Sequence, residues 1–542
     1  MRCGIMPAGV GIEDQSMNSL RARLSLGLVL LIVSTVSGAA ATEASLDGGF
    51  DRYWSARTSA EQSAAVAGIL ATGADFDQIH RRLRAGRPYS NTVPTGEIEL
   101  SHRIDNGTLH RFRLAIPTSY DPARRYPVRF YLHGGVQRPR WKAGDRWWRW
   151  AGFASEAHIA VFPSAWKQSM WWTHRQVQNL DAILLTIKQQ YNIDENRVYL
   201  IGLSDGATGA WFHALRKPTP WAAFLPFIGH PGVLDNRALG VDGQIYPRNA
   251  RDRDFLVING GQDWLYPLKY VVPYLSLMQR AGARIEFRPQ PESGHDLRWW
   301  RKEAGHIEAF IAARVRDPLP DRLTWETEST DRYPRNAWLL IEGLASRDGD
   351  PKMDAFADLE RWPTLGFEPD EKSDQGVRVL KVSRGSVARH AGLRPGDRVI
   401  SVNGQRTPTL AELETAMGQP QWGDRYQAEI VRDQRRLPVS FVFPDQVPAD
   451  QATPAFRHRR PSGRIEAERV GNHFTVRCEG VGSYRLLLSA DQIDFSQPVV
   501  VTTNGIESRR GMVERDAEVL LKWAARDQDR EMLFAAELLI QR

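Results

Sequence analysis

Between residues 98 and 315, short apolar runs alternate with longer amphipathic stretches. The clearest amphipathic stretch is Val177–Tyr191, where apolar residues recur at the i, i+3, i+4, i+7 spacing of a helix face. Strands that alternate with helices of this length indicate βαβ units, so the pattern predicts a doubly wound α/β domain over residues 95–316, with a largely parallel sheet. The predicted strands are Ile98–Ile104, Leu109–Ile116, Val128–Leu132, Ile159–Phe162, Val198–Ile201, Phe255–Ile258 and Ile285–Phe287.

The segments on either side of this domain have other patterns. An Ala-rich stretch predicts helices within an N-terminal segment over residues 42–94. Behind a Pro-rich linker at 317–320, strand-like runs occur in residues 322–358 and again in residues 462–542. Neither stretch alone has enough strands to close a two-sheet core. We therefore predict one all-β sandwich formed by both stretches, with residues 361–445 inserted between them.

The N-terminus carries the pattern of a secretory signal peptide. Arg21 and Arg23 precede the apolar run Leu24–Val36, and small residues lead from there to Ala41. The run is shorter than the roughly 20 residues that span a bilayer. We predict a signal peptide over residues 17–41 and a periplasmic or secreted mature protein. An uncleaved membrane anchor and a buried core helix are the alternatives.

Composition and charge narrow the functional classes. The chain has 542 residues, of which 42% are hydrophobic and 25% charged, which fits several globular domains and excludes a disordered chain or a polytopic membrane protein. The net charge of +7 comes without a long basic run or a nucleic-acid-binding motif, so no nucleic-acid partner is predicted. Signal cleavage would remove Cys3 and leave Cys478, which we interpret as a small buried apolar residue.

A nucleophile motif stands at the end of a predicted strand. Gly202-Leu203-Ser204-Asp205-Gly206 follows Val198–Ile201 directly and opens a predicted helix. Between a buried strand and a helix, Gly-x-Ser-x-Gly forms the sharp turn that exposes a serine hydroxyl, and side chains at the glycine positions would clash. We therefore predict Ser204 as a catalytic nucleophile.

Two further residues complete a candidate triad. A serine hydroxyl is a weak nucleophile and needs a base that is oriented by an acid. Asp263 follows the strand Phe255–Ile258, and His295 lies in the loop after the strand Ile285–Phe287. Because the carboxyl ends of parallel strands meet at one sheet edge, both residues are expected to converge there with Ser204. We predict Ser204, Asp263 and His295 as the catalytic residues.

A glycine-rich loop is the candidate oxyanion hole. The tetrahedral intermediate of acyl transfer carries an oxyanion that needs preorganised N–H donors. His133-Gly134-Gly135 follows the strand Val128–Leu132 at the same predicted edge. We predict one donor from the backbone of Gly135 or Val136, a choice that the sequence leaves open, and the second from the backbone N–H of Asp205. His133 is interpreted as a structural brace of the loop.

Together these motifs resemble the α/β-hydrolase superfamily, and within it secreted esterases and prolyl-oligopeptidase-type peptidases. The stretch Tyr191–Tyr199, which leads into the Ser204 motif, is similar to the corresponding stretch in many members, and the resemblance covers residues 95–315. It implies the triad roles given above. One departure is that no seven-bladed propeller precedes the domain, so the gate of the oligopeptidases is missing. No metal-ligand cluster and no phosphate-binding loop is visible in the sequence, so neither a metal nor a cofactor is predicted.

Tryptophans are concentrated near the predicted site. They lie in the loops that follow the oxyanion motif and the strand Ile159–Phe162, and directly after Asp263. An aromatic wall suits an apolar acyl group, a sugar ring or a peptide side chain, so these residues are predicted to line the substrate pocket. The alternative is that they pack on one another and build a cap. The pocket candidates are Trp147, Trp148, Trp171, Trp172 and Trp264.

Residues 361–445 resemble a PDZ domain of the bacterial protease type. The resemblance rests on Leu365-Gly366-Phe367, on the stretch Ala391–Asp397 and on Val402-Asn403-Gly404. In that family the Leu-Gly-Phe-like loop offers backbone N–H groups to a peptide carboxylate, and the peptide adds to the sheet as a strand. The resemblance implies that Leu365, Gly366 and Phe367 bind the end of a protein chain. A domain that packs internally and binds nothing is the alternative.

These predictions favour a secreted serine hydrolase that cleaves an ester or amide bond through an acyl-Ser204 intermediate. His295 would act as general base and Asp263 would fix its tautomer. A small ester substrate is slightly favoured because the propeller is missing, whereas the PDZ resemblance favours a peptide or protein. A prolyl-oligopeptidase-type peptidase and a catalytically inert envelope-binding scaffold are the alternative functions.

Overall fold

The computed structural model describes residues 45–56, 58–147, 155–345, 351–352, 354, 365–370, 374–418, 420, 423–444 and 454–542. The predicted signal peptide lies outside these ranges. The chain forms two compact units, and the smaller contains the residues up to Tyr89 together with Leu487–Pro498 and Met512–Glu537. The larger unit comprises Ser90–Leu486, Val499–Gly511 and Leu538–Arg542. Within the described ranges, no helix combines the length and the apolar content that crossing a bilayer requires.

Strands and helices alternate through residues 95–316, as the sequence predicts. The helices are α1 (45–55), α2 (Ser59–Leu70), α3 (Phe76–Ala85), α4 (His174–Gln190), α5 (Asp205–Arg216), α6 (Leu268–Arg280), α7 (Trp300–Ala313), α8 (Val387–His390), α9 (Leu410–Met417) and α10 (Ala517–Asp527). The strands are β1 (Gly96–Arg103), β2 (Leu109–Ile116), β3 (Tyr126–Leu132), β4 (Ile159–Pro163), β5 (Ile193–Leu203), β6 (Ala223–Phe227), β7 (Asp254–Val257), β8 (Arg284–Phe287), β9 (Arg322–Thr327), β10 (Arg335–Asn336), β11 (Leu339–Leu344), β12 (Phe367–Pro369), β13 (Val377–Val382), β14 (Arg398–Val402), β15 (Gln405–Arg406), β16 (Arg425–Arg432), β17 (Arg435–Val442), β18 (Gly463–Val470), β19 (His473–Glu479), β20 (Val481–Leu488), β21 (Val499–Thr503), β22 (Ile506–Gly511) and β23 (Ala536–Gln541).

The smaller unit is a cluster of helices. Helices α2 and α3 each begin with a capping box, at Thr58 and Asp75 respectively. Leu83 on α3 is buried together with Leu521 on α10, so the N-terminal helices share a core with a helix from the other end of the sequence. Helices α1 to α3 lie within residues 42–94, the segment in which the sequence predicts helices. The helix α10 corrects the sequence prediction, which assigns residues 462–542 to sandwich strands alone.

An eight-stranded sheet forms the centre of the larger unit. Its strand order is β1-β2-β4-β3-β5-β6-β7-β8, in which β4 to β8 are parallel neighbours and β1 and β2 add an antiparallel edge. Strand β4 is buried over its full length and β3 at all but one residue, which is usual for parallel sheets covered on both faces. The predicted doubly wound α/β class is confirmed.

Strand β6 is a central strand that the sequence pattern does not predict. Every residue of its sequence Ala-Phe-Leu-Pro-Phe is buried. A proline argues against a central strand because it lacks the N–H that a ladder needs. Pro226 is opposite Gly202 in β5, whereas β7 pairs with β6 at Phe224 and with the bridge of Phe227 to Ile258. The ladder therefore skips Pro226 on the β7 side.

Residues from Phe367 to Val442 form a separate β-rich fold. Its sheet has the order β12-β13-β14-β16-β17, with β15 beside β14, and β12 lies at the edge. The fold has a core of its own, to which β13 contributes Val379, β16 contributes Ile430 and α9 contributes Leu413. This is the PDZ-like arrangement that the sequence resemblance implies.

Strands from both sides of the inserted domain pair with each other. Strand β9 pairs with β18, and β11 pairs with β20, in both cases antiparallel. The resulting sheets have the orders β22-β21-β19-β18-β9 and β10-β11-β20-β23. The ring of Trp338, next to β11, lies 5.6 Å from that of Phe474 in β19, so the two sheets touch. Burial raises the pKa of the Cys478 thiol in β19 to about 12, as fits a small buried residue.

Candidate active site

The sharp turn predicted around Ser204 is present at the end of β5. Ser204 has φ 52° and ψ −118°, a backbone conformation that residues other than glycine rarely adopt. A Cβ atom on Gly202 would lie 2.0 Å from the carbonyl oxygen of Gly206, and one on Gly206 would lie 2.0 Å from that of Leu132. Both positions therefore require glycine, because α5 packs backbone to backbone against β3 and β5.

The three predicted catalytic residues meet at this turn. His295 Nε2 lies 2.9 Å from Ser204 Oγ, and His295 Nδ1 lies 2.8 Å from Asp263 Oδ2. Asp263 is buried, and its Oδ1 accepts hydrogen bonds from the backbone N–H groups of Leu265 and Tyr266. Each carboxylate oxygen thus faces a hydrogen-bonding nitrogen. A hydrogen bond from His295 Nδ1 to Asp263 Oδ2 leaves Nε2 as the nitrogen that accepts from the serine hydroxyl.

The loops that carry the acid and the base are joined by their backbones. Gly261 N–H donates to Gln290 O at 2.7 Å, and Gln262 N–H donates to Ser293 O at 2.9 Å. The two loops approach closely beside these bonds, because a Cβ on Gly260 would lie 2.3 Å from the Ser293 carbonyl oxygen. The loops follow β7 and β8, whose parallel register brings their carboxyl ends to one edge.

Three backbone N–H groups are predicted as oxyanion donors. In the described part of the chain, two of them have no protein acceptor and the third is already hydrogen-bonded. Those of Asp205 and Gly135 have none, whereas the Val136 N–H donates to Asp205 Oδ2 at 2.8 Å. The alternative that Val136 is a donor is therefore corrected, because its N–H is already bonded. The loop lies directly over the nucleophile, since a Cβ on Gly134 would lie 3.0 Å from Ser204 Cβ.

His133 braces the oxyanion loop as a neutral side chain. Its Nε2 accepts the Ala165 N–H at 3.0 Å, so the ring proton is on Nδ1, which donates to Gly134 O at 2.8 Å. Burial lowers the pKa of His133 to about 4, in agreement with the neutral form. The indole N–H of Trp171 donates to the His133 carbonyl oxygen at 2.8 Å.

Most of the described tryptophans in the predicted pocket are packing residues instead. Trp147, Trp171 and Trp172 are at most 4% exposed, and each indole N–H donates to a backbone carbonyl oxygen. Side chains so enclosed present no surface to a substrate, which corrects the prediction for these three. Trp264 is 79% exposed beside Asp263 and keeps its place as a candidate. Trp148 lies outside the described residues.

Tyr266 and His230 stand beside the triad and were not singled out from the sequence. The ring of Tyr266 is 5.5 Å from that of His295, edge to face, and its hydroxyl has no hydrogen-bond partner in the described chain. Burial raises the pKa of Tyr266, and the negative charges of Asp205 and Asp263 add to the effect. The His230 ring lies 5.8 Å from that of Tyr266, and burial lowers its pKa to about 4. For Tyr266 a sequence signal existed, because it follows the predicted strand Phe255–Ile258, whereas His230 follows β6, which the sequence pattern does not predict.

The predicted peptide-binding loop precedes the edge strand β12. Gly366 has φ +75°, and a Cβ there would lie 2.4 Å from Ser386 Cβ, so the position requires glycine. The carbonyl oxygens of Leu365 and Gly366 accept hydrogen bonds from Ala388 and Ser383. Phe367 begins β12, whose only neighbour among the described strands is β13. The loop is held by its carbonyl groups, and the free edge of β12 lies next to it.

Comparisons with known proteins agree with this organisation in part. A family model of the PDZ domain matches residues 363–441, which confirms the PDZ prediction for that segment. A comparison with curated protein sequences gives no match.

Several solved structures are similar to part of the chain. One is a thermostable esterase, at 19% identity and a TM-score of 0.33, with 41% of this chain and 63% of that chain covered. Another is dipeptidyl peptidase 4 of Porphyromonas gingivalis, at 12% identity and a TM-score of 0.34, with 40% and 35% covered. A third is a ferulic acid esterase of the fungus Anaeromyces mucronatus, at 16% identity and a TM-score of 0.33, with 42% and 94% covered. The chain spans less than two thirds of the first two of these structures.

Proposed function

We propose that this protein is a serine hydrolase that cleaves an ester or amide bond through an acyl-Ser204 intermediate. The observation that carries the proposal is the continuous hydrogen-bonded series Ser204 Oγ, His295 Nε2, His295 Nδ1, Asp263 Oδ2, with separations of 2.9 and 2.8 Å. Residues that meet in this geometry from three separate loops are expected to share a proton-transfer role.

The reaction begins with attack of Ser204 Oγ on the substrate carbonyl carbon while the hydroxyl proton passes to His295 Nε2. Asp263 stabilises the resulting imidazolium. The carbonyl oxygen becomes an oxyanion, for which the N–H groups of Asp205 and Gly135 are the proposed donors. His295 then gives its proton to the leaving alcohol or amine, and the acyl group stays on Ser204. A water molecule activated by His295 hydrolyses the acyl-enzyme by the same steps in reverse.

A small ester is the substrate class that we favour, slightly, over a peptide. Trp264 and Tyr266 offer aromatic surface beside the triad, which suits an apolar acyl group. A peptidase is the second candidate function, and the PDZ match favours it because that domain type binds peptides. The substrate would then be a polypeptide held at its end by the Leu365–Phe367 loop.

A fluorophosphonate probe tests the proposal directly. We expect the folded protein to be labelled at Ser204 and the Ser204→Ala variant to remain unlabelled. Peptide mapping of the labelled protein identifies the residue. Absence of labelling in folded wild-type protein would instead favour a catalytically inert binding scaffold.

A substrate panel then separates the two candidate reactions. Rates on p-nitrophenyl esters of increasing acyl length are compared with rates on aminoacyl and prolyl amides, with Ser204→Ala as the background. Hydrolysis of the amides at rates comparable to the esters would favour the peptidase.

The PDZ domain is proposed to bind the carboxyl end of a polypeptide. Fluorescent peptides with a free C-terminal carboxylate are expected to raise the anisotropy on titration with the full-length protein, and the same peptides with a C-terminal amide are expected to bind more weakly. Equal binding of both forms would contradict recognition of a chain end.

We also propose that the protein is exported to the periplasm or secreted. The basic residues before Leu24–Val36 and the small residues before position 42 support this. N-terminal sequencing after expression in a bacterial host should give a mature chain beginning at Thr42. Retention of the residues up to and including Ala41 in the purified protein would contradict cleavage at this site.

A further inference from the structure

If only its charge is considered, the carboxylate of Asp205 lies in a position that is unfavourable for catalysis. It follows the nucleophile directly, and its Oδ2 lies 2.8 Å from the backbone nitrogen of Val136, in the loop over Ser204. A negative charge bonded to the proposed oxyanion loop opposes the formation of an oxyanion there by Coulomb repulsion. A hydrolase of the proposed kind would gain from losing this charge unless the side chain did something else.

The loop over the nucleophile is tied down on both sides of its two glycines. On the side towards β3, His133 ties the loop to Ala165 and to Trp171. Gly134 and Gly135 have no side chains with which to make a tie, and Gly135 has φ +66°. After the two glycines, the Val136 N–H bond to Asp205 comes first along the chain, followed by the contact of Gln137 Nε2 with Met170 Sδ and by the bond from Lys167 N–H to Arg138 O. The loop segment that contains the proposed Gly135 donor is therefore fixed at His133 on one side and at Val136 on the other.

We propose that Asp205 is a positioning residue, whose side chain holds the oxyanion loop in register with the nucleophile by accepting the Val136 N–H bond. The inference rests on the proposed serine hydrolase function. One residue then sets both donors, because the backbone N–H of Asp205 is itself one of them. The donor on Gly135 is held at a fixed distance from that N–H by the covalent chain on one side and the Asp205–Val136 bond on the other.

This role makes a specific demand on the chemistry of position 205. The side chain must be an acceptor of the right length, but it need not be charged. Asp205→Asn keeps an oxygen that accepts the Val136 N–H bond and removes the charge. Asp205→Ala removes the acceptor as well. The two variants thus separate the hydrogen bond from the charge.

The test measures kcat and KM for the best ester of the panel in wild type, Asp205→Ala and Asp205→Asn. We expect Asp205→Ala to lower kcat by about 10- to 100-fold with KM within about threefold, a smaller loss than deletion of an oxyanion donor causes because the donor remains present but is misplaced. Asp205→Asn is expected to retain the wild-type kcat within about threefold or to exceed it. Asp181→Ala on α4, at an aspartate paired with Lys217, controls for general effects of losing a carboxylate.

A second readout reports on the oxyanion hole itself. A boronic acid forms a tetrahedral adduct on the nucleophile and places an oxygen where the oxyanion would be. Its inhibition constant should rise in Asp205→Ala by the same factor by which kcat falls, and should stay near the wild-type value in Asp205→Asn. Melting temperatures of all variants identify any that fail to fold. If Asp205→Ala fails to fold, Asp205→Ser takes its place, since its shorter side chain cannot reach the Val136 N–H, and a wild-type kcat in that variant would overturn the positioning role.

The possible failures are distinguishable. Wild-type kcat and boronate inhibition in a folded Asp205→Ala variant would overturn the positioning role while leaving the hydrolase function intact. Equal losses in Asp205→Asn and Asp205→Ala would also overturn it, since the charge and not the acceptor would then matter. Absence of fluorophosphonate labelling at Ser204 in wild type would overturn the hydrolase function on which the inference rests.

Discussion

Asp263 Oδ2 lies 2.8 Å from His295 Nδ1, although 32 residues separate the two in the chain. The other carboxylate oxygen, Oδ1, accepts the backbone N–H groups of Leu265 and Tyr266. The side chain is therefore held by two donors on one oxygen and presents the other to the imidazole. Because the two oxygens have different partners, the effect of an isosteric substitution of Asp263 can be predicted.

Asp263→Asn should fold but lose activity. Its side-chain oxygen can keep the two backbone bonds, which leaves the amide NH₂ facing His295 Nδ1. The ring must then carry its proton on Nε2, where it cannot accept from Ser204. We expect kcat to fall by about 10³- to 10⁴-fold with a small change in KM. Steady-state kinetics and circular dichroism check the result, and a loss of less than tenfold would contradict the proposed role of Asp263.

Substitution of Trp264 is expected to change substrate binding, whereas substitution of Trp171 is expected to change stability. Trp264→Ala removes an exposed ring beside the site and should raise KM for aromatic or long-chain acyl esters by about three- to tenfold, with an unchanged melting temperature. Trp171→Ala removes a fully buried ring and should cost about 3 to 5 kcal/mol of folding free energy. Urea denaturation and a substrate series measure both. An unchanged KM in Trp264→Ala would remove this residue from the pocket.

Gly366→Ala should separate peptide binding from hydrolysis. A methyl group there would lie 2.4 Å from Ser386 Cβ, so the loop before β12 must shift. Gly385→Ala is the control, because its φ of +72° carries the same backbone strain, about 1 kcal/mol, while its Cβ meets nothing within 4 Å. We expect peptide affinity to fall by about tenfold or more in Gly366→Ala alone, and ester hydrolysis to stay unchanged in both variants. Equal peptide binding in the two variants would contradict the assignment of the loop.

Glu326 makes the stability of the larger unit depend on pH. Burial raises the pKa of this carboxyl from 4.5 to about 7, against the opposing attraction of Arg464. The folded protein thus holds a proton that the unfolded chain releases between these values. The stabilising contribution is complete below pH 4.5 and is lost as the pH rises through 7, amounting to about 3 kcal/mol across the window.

The check is thermal unfolding at several pH values in wild type and in Glu326→Gln. The amide keeps an acceptor for the Ser462 hydroxyl and cannot ionise, so the fall in melting temperature between pH 5 and pH 7.5 should be smaller in the variant. Glu468→Gln, at an exposed carboxylate on β18, should behave like wild type. Parallel pH curves for Glu326→Gln and wild type would contradict the assignment.

Much of the candidate site could be predicted from local sequence because its residues mark the ends of strands. The turn at Gly202 and Gly206 could be predicted because only glycine fits where two backbones approach within contact distance. The convergence of Ser204, Asp263 and His295 follows from the rule that parallel strands place their carboxyl ends at one edge. Strand β6 was not predicted, because Pro226 contradicts the local pattern and only its neighbours in the sheet make it acceptable.

Other features depend on contacts between distant segments. In the sequence, the tryptophans at 147, 171 and 172 cannot be distinguished from residues that line a pocket. In the structure, each donates its indole N–H to a backbone carbonyl in the interior. The helix α10 shares a core with α3 from the opposite end of the chain, a pairing that no local pattern encodes.

The sequence by itself determined the α/β class and the identity of the candidate triad, since these depend on hydrophobic period and on turns that only certain residues can make. It also determined the PDZ segment, through the resemblance of its motifs to that family. The tertiary structure alone decided that the Val136 N–H is bonded to Asp205, that Trp264 is exposed while Trp171 is buried, and that Tyr266 stands against His295. The physical reason is that hydrogen-bond partners and burial are properties of pairs of segments. They are set by how segments distant in the sequence pack against one another.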